Sequence, residues 1–147
     1  MTETVASNID IDASPEQVLA VLSDFESYPT WARSMKQATV LERDDDGRAL
    51  TVEFHVAPGL LPEVRYVLRY TYDERTIAWE YVEGDLRDCH GSYVVEDRNG
   101  TAHVVYDLAI DPGRLPLPGF VKARAAREIT RIALKELKRR VETVNAS

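Results

Sequence analysis

Apolar and polar positions change period twice in the first third of the chain. Over residues 4–12 (TVASNIDID), Val5, Ser7, Ile9 and Ile11 share one face of a two-residue alternation, the pattern of a strand. Ser14-Pro15-Glu16-Gln17 then supplies an N-cap, a first-turn proline and a glutamine at the capping-box offset. With Val18, Leu19, Val21 and Leu22 following, this predicts a short helix. Residues 24–32 (DFESYPTWA) predict a second short helix, interrupted at Pro29 because proline pushes Tyr28 out of the helical region.

From residue 35 to 111 the alternation of strands returns, broken by turns. Asn99-Gly100 supplies the positive φ of a two-residue hairpin turn. Folding there sets Val95 opposite Val104, Tyr93 opposite Tyr106, Gly91 opposite Leu108 and Cys89 opposite Ile110. The other face pairs Glu96 with His103 and Ser92 with Asp107. A hairpin about residues 73–76 sets Tyr72 against Ile77, Tyr70 against Trp79 and Leu68 against Tyr81, with Arg69 and Glu80 paired outside. A third, about Asp46-Gly47, gathers Leu41, Leu50, Val52 and Phe54 on one face together with Thr39 and Gln37.

The turn-rich segment PGRLPLPG after Asp111 ends the sheet, and a long helix follows from about Pro118 to Val144. At 100° per residue, Val121, Ala125, Ala126, Ile129 and Ile132 spread with Ala133, Leu134, Leu137 and Val141 over more than half its circumference. Arg124, Arg127, Arg131, Lys135 and Lys138 take the remaining arc. So wide an apolar band fits a helix held inside a curved sheet. The fold class is α+β, a single domain over 1–147: a seven-stranded curved antiparallel sheet, two short helices and one long C-terminal helix enclosing a cavity.

That order of elements is the helix-grip arrangement, and the sequence resembles the START-related superfamily, also called SRPBCC. Within it the chain resembles the polyketide cyclase/dehydrase and lipid-transport group of actinobacteria. The resemblance runs from IDIDASPEQVLAVLSDFESYPTWA at 9–32, through WEYVEGD at 79–85 and GSYVVED at 91–97, to GTAHVVYDLAIDPGRLPLPGF at 100–120. It implies a deep cavity between the concave sheet and the last helix, used for lipids, quinones, polyketides or plant-hormone-like molecules. It does not imply one chemistry, since the superfamily shares a container and not a reaction.

Composition narrows the partners. With 44% hydrophobic and 29% charged residues the chain is that of a globular protein, and no run approaches the ~20 apolar residues of a membrane span. The first ten residues, MTETVASNID, have no basic start and no apolar core, so no signal peptide is expected and a cytoplasmic location follows. The formal net charge of −7 argues against nucleic acid as a partner. Residues 121–140 nevertheless carry +6. Two readings of that basic arc stand, a solvated helix face and a transient contact with an anionic membrane surface. Monomer and homodimer are both compatible with the sequence.

If the apolar faces point inward, a small hydrophobic ligand meets Phe54, Tyr66, Leu68, Tyr70 and Trp79, then Tyr81, Tyr93, Tyr106, Leu108 and Ile129. Buried tyrosines need partners for their hydroxyls, so this face reads as a cavity with polar points or as a solid core whose hydroxyls reach its edge. Leu60 and Leu61, in a loop between strands, with Trp31, Leu117 and Phe120, are the candidate cavity entrance. An aromatic cyclase or dehydratase needs a base and an oxyanion donor. His55, His90, His103, Asp88, Asp107 and Glu80 all alternate outward, so no catalytic residue is assigned. Cys89 and His90 are neighbours in a strand and point to opposite faces, and no other pair has ligand spacing, so no metal or cofactor is expected. The single cysteine, Cys89, reads as a buried, inert thiol.

Overall fold

The strands are β1 (Glu3–Ile11), β2 (Met35–Arg43), β3 (Ala49–Val56), β4 (Val64–Tyr72), β5 (Thr76–Gly84), β6 (Asp88–Arg98) and β7 (Thr101–Asp111). In this computed structural model they form one antiparallel sheet in the order β1-β7-β6-β5-β4-β3-β2. Helix α1 spans Pro15–Ser23, a 3-10 helix spans Phe25–Thr30, and α2 spans Gly119–Ala146. The structure describes residues 3–57, 63–113 and 119–146, with side chains over 4–57, 63–113 and 123–144.

Local signals account for the starts and turns. Ser14 Oγ accepts from the Gln17 N–H at 3.2 Å while Gln17 Oε1 accepts from the Ser14 N–H at 2.8 Å, completing the capping box of α1. Asn99 and Gly100 both adopt positive φ, 57° and 88°, and the β6–β7 register is the one a two-residue turn there requires. The β4–β5 hairpin likewise pairs Tyr70 with Trp79 and Leu68 with Tyr81.

The first hairpin differs from expectation by one residue. Asp44 closes a wider loop: its N–H donates to the Arg48 carbonyl at 2.8 Å, and its carboxylate accepts from the N–H groups of Asp46 and Arg48, each at 2.9 Å. Arg43 thus pairs with Ala49, and an irregularity follows between Val40 and Glu42. A one-residue shift exchanges the faces of a strand. Ala38 and Val40 therefore sit opposite Phe54 and Val52, Gln37 and Thr39 pair with His55 and Glu53, and Leu41 is 51% exposed.

Helix α2 lies along β1, with further contacts to β7 and α1. Polar contacts at its C-terminal half help to fix it. Lys138 Nζ donates to the Asp10 carbonyl at 2.8 Å, Glu142 accepts from the Asp12 N–H at 3.0 Å, and Glu136 accepts from the Arg33 N–H at 3.0 Å. Its buried stripe is Ala126, Thr130, Leu134, Leu137 and Val141, at helical spacing. This is narrower than the band expected from the sequence, because the helix rests on one side of the sheet and leaves Ile129 and Ile132 exposed by 37% and 45%. Thr130 is reconciled with its burial by two hydrogen bonds, to the Arg127 carbonyl and to Ser7 Oγ on β1, each 2.9 Å.

Candidate ligand-binding site

The candidate site is built on the inner face of β3 to β7. Period-two alternation puts Phe54, Leu68, Tyr70, Trp79, Tyr106 and Leu108 on this face, where all six are buried. Tyr66, Tyr81 and Tyr93 lie with them but are only half-buried. Ile129 projects from α2 outside the buried stripe. Leu60, Leu61 and Leu117 lie outside the described residues, as does the side chain of Phe120.

Ring contacts run without a break across five strands. Phe54 meets Tyr66 with centroids 5.5 Å apart, Tyr70 meets Trp79 at 6.0 Å, Trp79 meets Tyr93 at 5.5 Å and Tyr106 at 5.8 Å, and Tyr93 meets Tyr106 at 4.3 Å. The tilted and edge-on angles are those the ring quadrupoles favour. A second aromatic group closes the β3–β4 end: Phe25 lies 4.4 Å from Tyr70, and Tyr28 lies 5.0 Å from Trp31. Sequence reasoning did not place Phe25 and Tyr28 inside. The signal was there, because three-residue spacing superimposes Phe25, Tyr28 and Trp31 on one face of a 3-10 helix.

The hydroxyls divide into two sets. Tyr28 donates to the Leu22 carbonyl, Tyr72 to the Ala49 carbonyl at 2.5 Å and Tyr81 to the Leu86 carbonyl at 2.8 Å, so these three act as struts. Tyr66, Tyr70, Tyr93 and Tyr106 make no such backbone bond among the described residues. Burial raises the pKa of all four, and for Tyr106 the Tyr93 hydroxyl adds to the effect. They are neutral phenols, able to donate or accept. Cys89 sits on the same face, buried and free, and burial pushes its thiol up to about 12, so it stays protonated and unreactive.

No base joins them. His55 lies between Glu53 at 3.3 Å and Glu63 at 3.6 Å, His90 meets Asp88 at 2.9 Å, and His103 meets Asp10 at 2.6 Å. Each pair belongs to the outer face, and Asp107 and Glu80 are exposed there as well. Among the described residues no group of His, Cys, Asp and Glu converges to hold a metal ion. No described helix is long and apolar enough to cross a membrane.

Two surface grooves, about 470 Å³ and 320 Å³, run between α1, the 3-10 helix and the C-terminal half of α2. Trp31 and Arg140 border both. Neither touches the aromatic inner face, and each is open along one side, so a hydrophobic molecule there would keep much of its surface in water. The inner face is the better candidate for such a ligand.

The chain matches the family described as "Polyketide cyclase / dehydrase and lipid transport" over residues 2–142. Among solved structures, a START superfamily protein from Mycobacterium smegmatis is 24% identical with a TM-score of 0.86, covering 96% of this chain and 98% of that one. The Zhui aromatase/cyclase from Streptomyces sp. R1128 is 15% identical with a TM-score of 0.80, covering 97% and 94%. A STAR-related lipid transfer protein from Xanthomonas axonopodis is 15% identical with a TM-score of 0.76, covering 95% and 85%. The helix-grip fold is thus common to all of them. No curated protein matches the chain.

Proposed function

We propose, for a chain that belongs to the polyketide cyclase / dehydrase and lipid transport family, that it binds or carries a small hydrophobic molecule of aromatic, polyketide, quinone or lipid type. One observation carries this reading. The inner face is a continuous aromatic surface with four tyrosine hydroxyls and a neutral thiol, while every described histidine is held outside by a carboxylate. Such a surface rewards burial of an apolar ring and offers polar points for orientation, the usual make-up of a small-molecule site. Among the described residues no carboxylate or imidazole lies on it to serve as the proton acceptor that enolisation requires.

The test is native mass spectrometry of the purified protein, with solvent extraction of whatever it retains. An adduct that leaves with organic solvent supports the reading. A bare chain that also fails to take up 1-aminoanthracene from buffer overturns it.

A cyclase or dehydratase is the second reading, favoured by the neutral phenols of Tyr66, Tyr70, Tyr93 and Tyr106, which suit a developing enolate oxygen. It requires a carboxylate or imidazole within reach of the bound substrate. A co-crystal with an oxygenated aromatic that shows none would remove it.

A further inference from the structure

Trp79 Nε1 is the one buried side-chain nitrogen or oxygen without a hydrogen-bond partner among the described residues. The residue is only 6% exposed, and an indole N–H in such a place nearly always finds an acceptor, since leaving it dry costs folding free energy. The nearby Cys89 sulfur does not accept from it at hydrogen-bond geometry, although the N–H lies near enough to oppose the rise that burial gives the thiol's pKa. A protonated thiol is in any case a weak acceptor.

The indole is closely packed. Its Cζ2 lies 3.0 Å from where a side chain on Gly91 would begin, so the indole presses on bare β6 backbone, with Tyr70, Tyr93 and Tyr106 around it. The orphan donor is therefore fixed in position on the inner face. The described cation that meets this face, Arg48, stacks on Tyr72, whereas the rings around the indole are the neutral Tyr70, Tyr93 and Tyr106, so the donor suits a neutral oxygen.

We infer that Trp79 orients the ligand by donating its indole N–H to a carbonyl oxygen on a neutral planar aromatic that packs against Tyr93 and Tyr106. This rests on the ligand-binding reading above and adds which atom selects among ligands.

Two shape-matched probes test it, 9-fluorenone, which carries one carbonyl, and fluorene, which has none. The wild-type chain should bind fluorenone about five- to ten-fold more tightly than fluorene, and Trp79→Phe should abolish that preference while still binding both. In wild type, whose only other tryptophan is Trp31, the Trp79 indole N–H resonance should move downfield with fluorenone and stay near its free position with fluorene. An undiminished preference in Trp79→Phe, or an indole resonance that fluorenone leaves in place, as for an N–H already held by buried water, overturns the inference. If Trp79→Phe does not fold, the wild-type resonance alone decides. Binding of neither probe would instead overturn the ligand-binding reading, and this inference with it.

Discussion

Ser7 on β1 and Thr130 on α2, 123 residues apart, share a hydrogen bond of 2.9 Å at the middle of the helix–sheet contact. Because Thr130 donates to the Arg127 carbonyl, Ser7 is left to donate to Thr130 Oγ1, and the two bonds form a relay into the helix backbone. Thr130→Val keeps the shape and removes the acceptor. It should cost about 1 kcal/mol, and a double-mutant cycle with Ser7→Ala should show coupling of about 0.5–1.5 kcal/mol by urea denaturation. Additive losses would mean that the bond contributes nothing.

Gly91 is needed for its lack of a side chain. A Cβ there would stand 2.1 Å from the Asp107 carbonyl oxygen and 3.0 Å from Trp79 Cζ2. The first clash is with backbone, which cannot rotate away. Gly91→Ala should therefore destabilise by about 2–3 kcal/mol, and pairing it with Trp79→Phe should recover little. A thermal shift comparison of the single and double variants checks this.

All seven tyrosines have raised pKa values, chiefly from burial, with Tyr72 at about 12. A folded-state value above the unfolded one means stability that is complete below the ordinary tyrosine pKa of about 10 and is lost as pH rises toward the raised values. Near-ultraviolet titration should show the buried Tyr70 and Tyr106 ionising only as the protein unfolds, so that most tyrosinate appears in a late step together with loss of circular dichroism. Gradual ionisation of the folded protein would contradict the burial of these hydroxyls.

The outer face governs the acid limb. Glu53 is held below the usual carboxylate range mainly by its hydrogen bond from Arg65 at 2.8 Å, and then by His55. A depressed folded-state value gives stability that is present above the ordinary glutamate pKa of about 4.3 and lost as pH falls through the lower one. Wild type should therefore lose stability below about pH 4.5, and Glu53→Gln should flatten that loss. Equal slopes in the two proteins would show that the pair is neutral for folding.

Legibility followed the strength of the local constraint. Asn99-Gly100 allows one tight turn, so the pairing of Tyr93 with Tyr106 was readable from the sequence. Asp46-Gly47 carries the same dipeptide signal, but the Asp44 carboxylate captures two N–H groups and widens the loop, a competition that spacing alone does not reveal. Ile129 and Ile132 look like core by helical periodicity, and only the placement of α2 on one side of the sheet turns them outward. Phe25, Tyr28 and Trp31 carry the three-residue spacing of a 3-10 turn, a signal obscured by the interruption at Pro29. The orphan donor of Trp79 has no sequence signal, since it depends on what every neighbour fails to offer.

The seam between β1 and β7 also sets an order of events. From β3 to β7 each strand pairs with the one before it, so those joints can form as the chain grows, whereas Glu3 must wait for Ile110. Until that long loop closes, the free edge of β7, with Val104 and Leu108, is open to any other strand that reaches it first. The joint on which the long helix rests is thus the last of the sheet to close.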